Sequence, residues 1–146
     1  MSFIVVGVDG SEHADAALRF AAAEAAVHGV DLHVVCAWEL PSTMTMDLGL
    51  VSGIFEGFRD EAAGIINEAI DKVAEWQPGV TCEGRLVEGH PATVLVQEAE
   101  GAILLVVGSR GRGELAGMLL GSVSHHVIHQ APCPVTVVTK RPEAKS

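Results

Sequence analysis

The stretches "FIVVGV" (Phe3–Val8) and "AILLVVG" (Ala102–Gly108) are nearly unbroken in apolar residues and too short for an ordinary helix. A strand covered on both faces reads this way. Three further short runs share the tendency: "LHVVCAW" (Leu32–Trp38), "VTCEGRLV" (Val80–Val87) and "VTVVT" (Val135–Thr139). In the third run of the chain, Thr81, Glu83 and Arg85 alternate with Val80, Cys82 and Leu86, a period of two that fits a half-exposed edge strand.

Segments of helical spacing separate these runs. Ala14, Ala17, Leu18, Ala21, Ala22 and Ala25 form one stripe, with Ser11 placed to cap its start and Gly29 its end. Phe55, Phe58, Ala62, Ile65, Ile66, Ala69, Val73 and Trp76 form a longer stripe, stopped by Pro78-Gly79. Pro91 suits the first turn of a short helix ending near Gly101, and a last helix is expected from Gly121-Ser122 to about Gln130. Strands alternating with helices build right-handed crossovers on a parallel sheet. The two most apolar strands belong side by side at its centre, which gives the order 3-2-1-4-5. The expected architecture is α/β, a single-domain, Rossmann-like three-layer sandwich with a five-stranded parallel sheet over residues 1–146. "ELPSTMTMDLGLVSG" (Glu39–Gly53) reads as a long variable loop, either a cover for a ligand or partner or a segment resting on the surface, and residues 140–146 read as a tail.

A chain of 146 residues can bury a core without disulfides or metals, and 49% hydrophobic against 19% charged residues speaks for order. Nine Lys and Arg stand against 19 Asp and Glu, a formal net charge of -10, which argues against a nucleic-acid groove. "MSFIVVGVDG" has no basic stretch ahead of its apolar run, and that run breaks at Asp9; neither a signal peptide nor a membrane span is expected, and the location expected is cytoplasmic. Cys36, Cys82 and Cys133 have no C-x-x-C spacing and read as small hydrophobes, with Trp38 and Trp76 read as packing.

Open α/β sheets bind ligands beyond the carboxyl ends of their strands, where the strand order reverses. Here that place lies between the first and fourth strands. "DGS" leaves the first strand there, and "VVGSRGRGELAGMLLGSVSHH" (Val106–His126) ends and follows the fourth. A Walker A loop needs a Gly-Lys pair, which the chain lacks, and "GVDGSEH" does not carry G-x-G-x-x-G. What is present is Gly108-x-x-Gly111, nine residues, then Gly121-Ser122. At 108 a missing side chain lets a ligand lie over the backbone, while Gly111 and Gly113 permit φ > 0 and hence a nest of N–H groups. Gly121-Ser122 opens a helix whose first N–H groups lack internal partners. Three or four charge-assisted bonds of about 1.5–3 kcal/mol each suffice for micromolar affinity, and Arg110 and Arg112 add local positive charge. The opposing reading is a flexible glycine loop.

The pattern G-x2-G-x9-G-[ST] resembles the ATP-binding signature of the universal stress protein family. The likeness extends to "FIVVGVDGSEHADAALRFAAAEA", "LVEGHPATVLVQEA" and "MLLGSVSHHVIHQAPCPVTVV", nearly the whole chain outside Glu39–Gly53. It implies an adenine nucleotide alpha hydrolase-like fold and the nucleotide-binding branch of the family. It implies that Asp9, preceded by Val8, lies by the nucleotide and fixes the adenosine moiety or a nucleotide-bound Mg ion. Ala37 would offer backbone to the adenine, and Val107 and Gly108 would cover the ribose. Gly111, Gly121, Ser122 and Val123 would hold phosphates, with Ser109, Arg110, Arg112 and Ser124 as further contacts. Gly7-Val8 before Asp9 departs from the other small residues of many relatives. Family members commonly dimerise by pairing the last strand; Val135–Thr139, preceded by two prolines, is expected at a sheet edge, and a homodimer is implied.

The hydrolase motif G-x-S-x-G is absent, and a strand-to-helix turn would not aim Asp9, Ser11 and His13 at one another as a triad. His125 and His129 have the i, i+4 spacing of a zinc pair, with His126 adjacent, but no third ligand is near in sequence; they read as solvated or capping side chains. Efficient phosphoryl transfer needs a fixed metal, an oriented water and a charge clamp, for which only Asp9 and the arginines are candidates. No catalytic residue is assigned. The expectation is an ATP-binding stress-response module, regulatory or signalling, with at most slow ATP hydrolysis. The alternatives are a sensor of another adenine nucleotide, AMP or cyclic AMP, and a nucleotide-independent interaction protein.

Overall fold

The structure, a computed structural model, describes residues 2–40, 48–111 and 120–140, and of 48–52 the backbone alone. Among these residues the chain runs β1 (Phe3–Gly7), α1 (Glu12–His28), β2 (Asp31–Trp38), α2 (Leu48–Trp76), β3 (Cys82–Glu88), α3 (Pro91–Glu98), β4 (Leu104–Gly108), α4 (Ser122–Gln130) and β5 (Val135–Val138). The five strands are parallel and lie in the order β3-β2-β1-β4-β5, as expected from the two apolar runs. In both β1 and β4 the middle three residues are buried, because helices cover the sheet centre on both faces.

Alternation along the strands divides the core in two. Ile4, Val6, Leu32, Val34 and Val106 pack with α1 and α2 through Ala17, Leu18, Ala21, Ile66 and Val73. Val5, Val35, Leu105 and Val107 pack on the other face with Val94 and Leu95 of α3 and Val127 of α4. Ser11 caps α1 by accepting from the Ala14 N–H at 3.1 Å, and Gly29 ends it at φ 65. Lys72 of α2 donates to Asp15 of α1 at 2.8 Å, and the Arg19 guanidinium lies 4.2 Å over the Trp76 ring.

One boundary differs from the sequence reading. Helix α2 begins at Leu48, inside the span read as the loop Glu39–Gly53. Gly49, Ser52 and Gly53 lower helix propensity there and hid the continuation, although Leu48 and Val51 extend the spacing of Phe55 and Phe58 by whole turns. Residues 41–47, with Met44 and Met46, and the tail from 141 onwards lie outside the described residues. No helix among the described residues is long and apolar enough to cross a membrane.

The edge strand β3 is held by a close contact. A Cβ on Gly84 would lie 2.5 Å from Ile66 Cγ2 and 2.9 Å from Ile70 Cδ1, so α2 closes over the strand only because position 84 has no side chain. Burial pushes the Cys82 thiol up to about 11 and raises that of Cys133, which keeps both protonated at neutral pH. The three cysteines are free. Gly84→Val is expected to lower stability by about 1–3 kcal/mol through overpacking against Ile66, seen as a lower urea midpoint with an unchanged slope.

Candidate functional site

The chain leaves β1 toward α1 on one face of the sheet and leaves β4 toward α4 on the other. A crevice opens between these departures, at the carboxyl ends of the strands. Its volume is about 370 Å³, within the range of small-molecule sites. Val8, Val35, Ala37, Pro91, Leu95 and Val107 give it apolar walls, and Asp9, Gly108, Arg110, Gly111, Gly121, Ser122, Val123 and Ser124 also line it. Val8 and Asp9 after β1 thus share one crevice with the segments Gly108–Gly111 and Gly121–Ser124.

The β1 side is built by a tight turn. Gly10 adopts φ 83, which swings the chain round so that the Ser11 N–H donates to Asp9 Oδ1 at 2.9 Å. The Asp9 carboxylate then reaches the β4 loop: a Cβ on Gly111 would lie 2.8 Å from Asp9 Oδ2. At Gly108 a Cβ would lie 2.8 Å from both the carbonyl carbon and oxygen of His13, in the first turn of α1. These two glycines therefore serve close approach. The expectation of a left-handed φ at Gly111 is corrected, since among the described residues positive φ occurs at Gly10, Gly29, Gly89 and Gly101. Gly113 and Arg112 lie outside the described residues.

The β4 side is stapled. The Gly121 N–H donates to the Ser109 carbonyl at 2.7 Å, and Ser124 Oγ lies 3.0 Å from the carbonyls of Ser109 and Gly121, placed to donate to either. Ser109 and Ser124 are each only 2% exposed, and Ser109 is not among the lining residues. Its part is to anchor the start of α4 to the end of β4 across the intervening loop. Gly121, the N-cap at φ -77 and ψ 170, places no side chain over the opening turn. The positive end of α4 is thus presented to the crevice, together with Arg110.

Several lining residues were not assigned from sequence. Glu39 follows β2 directly, and His90 and Pro91 follow the turn after β3. His90 is the N-cap of α3, where its Nδ1 accepts from the Ala92 N–H at 3.3 Å. Their signal was position alone, one step past the carboxyl end of a strand. His13 Nδ1 is buried without a hydrogen-bond partner among the described residues.

The charges around the crevice are mixed. Asp9, Glu39, Arg110 and the start of α4 all line it. Near the start of α1, a hydrogen bond from Lys140 holds the Glu12 carboxyl below its ordinary value. Among the described residues no three His, Cys, Asp or Glu side chains form a metal-ligand group. One carboxylate, Asp9, suits a Mg ion carried chiefly by phosphate oxygens and water, not an all-protein cage.

The family model described as the universal stress protein family matches residues 1–139. The chain belongs to the universal stress protein family. A universal stress protein of Mycobacterium tuberculosis is 39% identical over 135 residues, covering 92% of this chain and 44% of that protein. The chain thus spans about half the length of the mycobacterial relatives it matches. A universal stress protein solved in complex with cAMP superimposes with a TM-score of 0.70 at 30% identity, covering 94% of this chain and 96% of the other. One from Archaeoglobus fulgidus in complex with dAMP gives 0.68 at 29% identity, covering 94% and 98%. In this universal stress protein, Gly108→Ala is expected to cost about 1–3 kcal/mol in chemical denaturation, because the His13 carbonyl it would strike is backbone and cannot rotate away.

Proposed function

We propose that the crevice binds an adenine nucleotide, ATP in the first instance, and that binding regulates a stress-response activity of the protein. The observation that carries this reading is the meeting of two backbone segments, Gly108–Gly111 and Gly121–Ser124, beside an apolar slot. Val8, Ala37 and Val107 would flank the base and ribose, with Asp9, Glu39 and His90 as polar groups for the sugar and base edge. Arg110, Gly111, Gly121, Ser122 and Val123 would take the phosphates, the helix terminus favouring an anion where the chain as a whole repels one. Ser109 and Ser124 would act through the staple. A Mg ion would be held at Asp9 and by the phosphates, neutralising charge there.

The relatives solved with cAMP and dAMP support a second form of the reading, a monophosphate ligand, since both are adenine nucleotides with a single phosphorus. In this reading the nucleotide acts as a bound signal, and any hydrolysis would be far slower than the roughly 1–10³ s⁻¹ of ordinary enzymes. Titration calorimetry with Mg-ATP, AMP and cAMP is expected to give micromolar binding, with the tightest of the three identifying the ligand class. Gly121→Val, which puts a side chain into the cradle, is expected to weaken it by about tenfold or more, or 1.4 kcal/mol. No heat with any nucleotide, or unchanged binding in Gly121→Val, would overturn the reading.

The edge strand β5 supports a homodimer. Pro134 and Val138 accept from Leu105 of β4 and from Ser109 just after it, so by alternation the peptide groups of Val135 and Val137 point away from the sheet. Pairing of that edge with a second copy is expected to give a dimer by sedimentation velocity at tens of micromolar; a monomer throughout would refute it.

A further inference from the structure

We propose that the exposed face of α4 carries a transition-metal site, formed by the imidazoles of His125 and His129. Both side chains are exposed, one helical turn apart, and their ring centroids are 4.8 Å from each other at an interplanar angle of 66°. They line a second cleft of about 570 Å³, together with His126 and Gln130. A metal bonded to an imidazole nitrogen at about 2.0–2.1 Å lies about 3.2 Å from the ring centroid. Two such rings 4.8 Å apart therefore subtend about 100° at a shared metal, between square and tetrahedral ligation. One helix carries both rings a single turn apart, so once the first imidazole has bound a metal the second bond is intramolecular.

The chemistry of the pair selects the cation. Among the described residues no third His, Cys, Asp or Glu completes a ligand group, so water fills the remaining positions. Two neutral imidazoles with water suit Cu²⁺ first, then Ni²⁺ and Zn²⁺, and offer little to Mg²⁺ or Ca²⁺. The net charge of -10 favours any cation. Gly121 and Ser122 wall both this cleft and the nucleotide crevice, but the histidines belong to this one alone. The site thus stands independently of the nucleotide reading.

The test uses the untagged chain without nucleotide, titrated with Cu²⁺, Ni²⁺ and Zn²⁺ by calorimetry, with electron paramagnetic resonance of the Cu²⁺ form. The expected result is one equivalent of Cu²⁺ bound through two nitrogens, more tightly than Ni²⁺ or Zn²⁺. His125→Ala and His129→Ala, at exposed helix positions that favour alanine, should fold normally and each weaken binding by about a hundredfold. His126→Ala should leave it unchanged. Absence of stoichiometric Cu²⁺ binding, or binding that survives in the His125→Ala, His129→Ala double variant, would overturn the proposal.

Discussion

The approach of Gly108 to the first turn of α1 is the contact on which the crevice depends. The end of β4 lies against the His13 main chain closely enough that a single added carbon would collide with the carbonyl. That closeness brings Asp9 against Gly111 and draws the two loops, separated by a hundred residues of chain, into one wall. Main-chain atoms on one side leave no cheap relaxation, since interiors respond to added volume by shifting whole elements. Without the contact, the β4 loop would stand away from β1 and the crevice would lose this wall.

The opposite wall relies on hydrogen bonds. Ser109 is buried and has its carbonyl in the place where Gly121 and Ser124 both reach it. Buried polar groups that find partners fix a single arrangement, and those left without one are costly. The staple therefore sets the direction of α4 and with it the direction of the helix dipole. The N-terminal end of that dipole lies at the crevice together with Arg110, in a lining that also carries Asp9 and Glu39. Apolar walls of valine, alanine and leucine lower the polarity of the same space.

The two helical layers divide the labour. The long helices α1 and α2 cover one face and hold most of the core, tied to each other by Lys72–Asp15 and Arg19–Trp76. The short helices α3 and α4 cover the other face, and both begin at the crevice, at His90 and Gly121. The opening turns of two helices therefore line one crevice, and a ligand bound there would touch both.

The periods of the chain determined its architecture. Unbroken apolar runs placed β1 and β4 at the centre, alternation placed β3 at an edge, and alanine spacing with Ser11 and Gly29 delimited α1. These features are local, and burial acts on them residue by residue. The glycine spacing after β4 also located the crevice, because only one end of a parallel sheet offers such a loop. Tertiary structure decided the rest. Whether Gly111 serves torsional freedom or close approach depends on Asp9, far away in sequence, and whether the Ser109 carbonyl faces the crevice or α4 depends on Gly121 and Ser124. Glu39 and His90 joined the wall only when β2 and β3 were laid in register beside β1. The start of α2 at Leu48 was hidden by weak local propensity. Spacing along a chain records which faces are buried, whereas contacts between segments arise only when packing has fixed their distances.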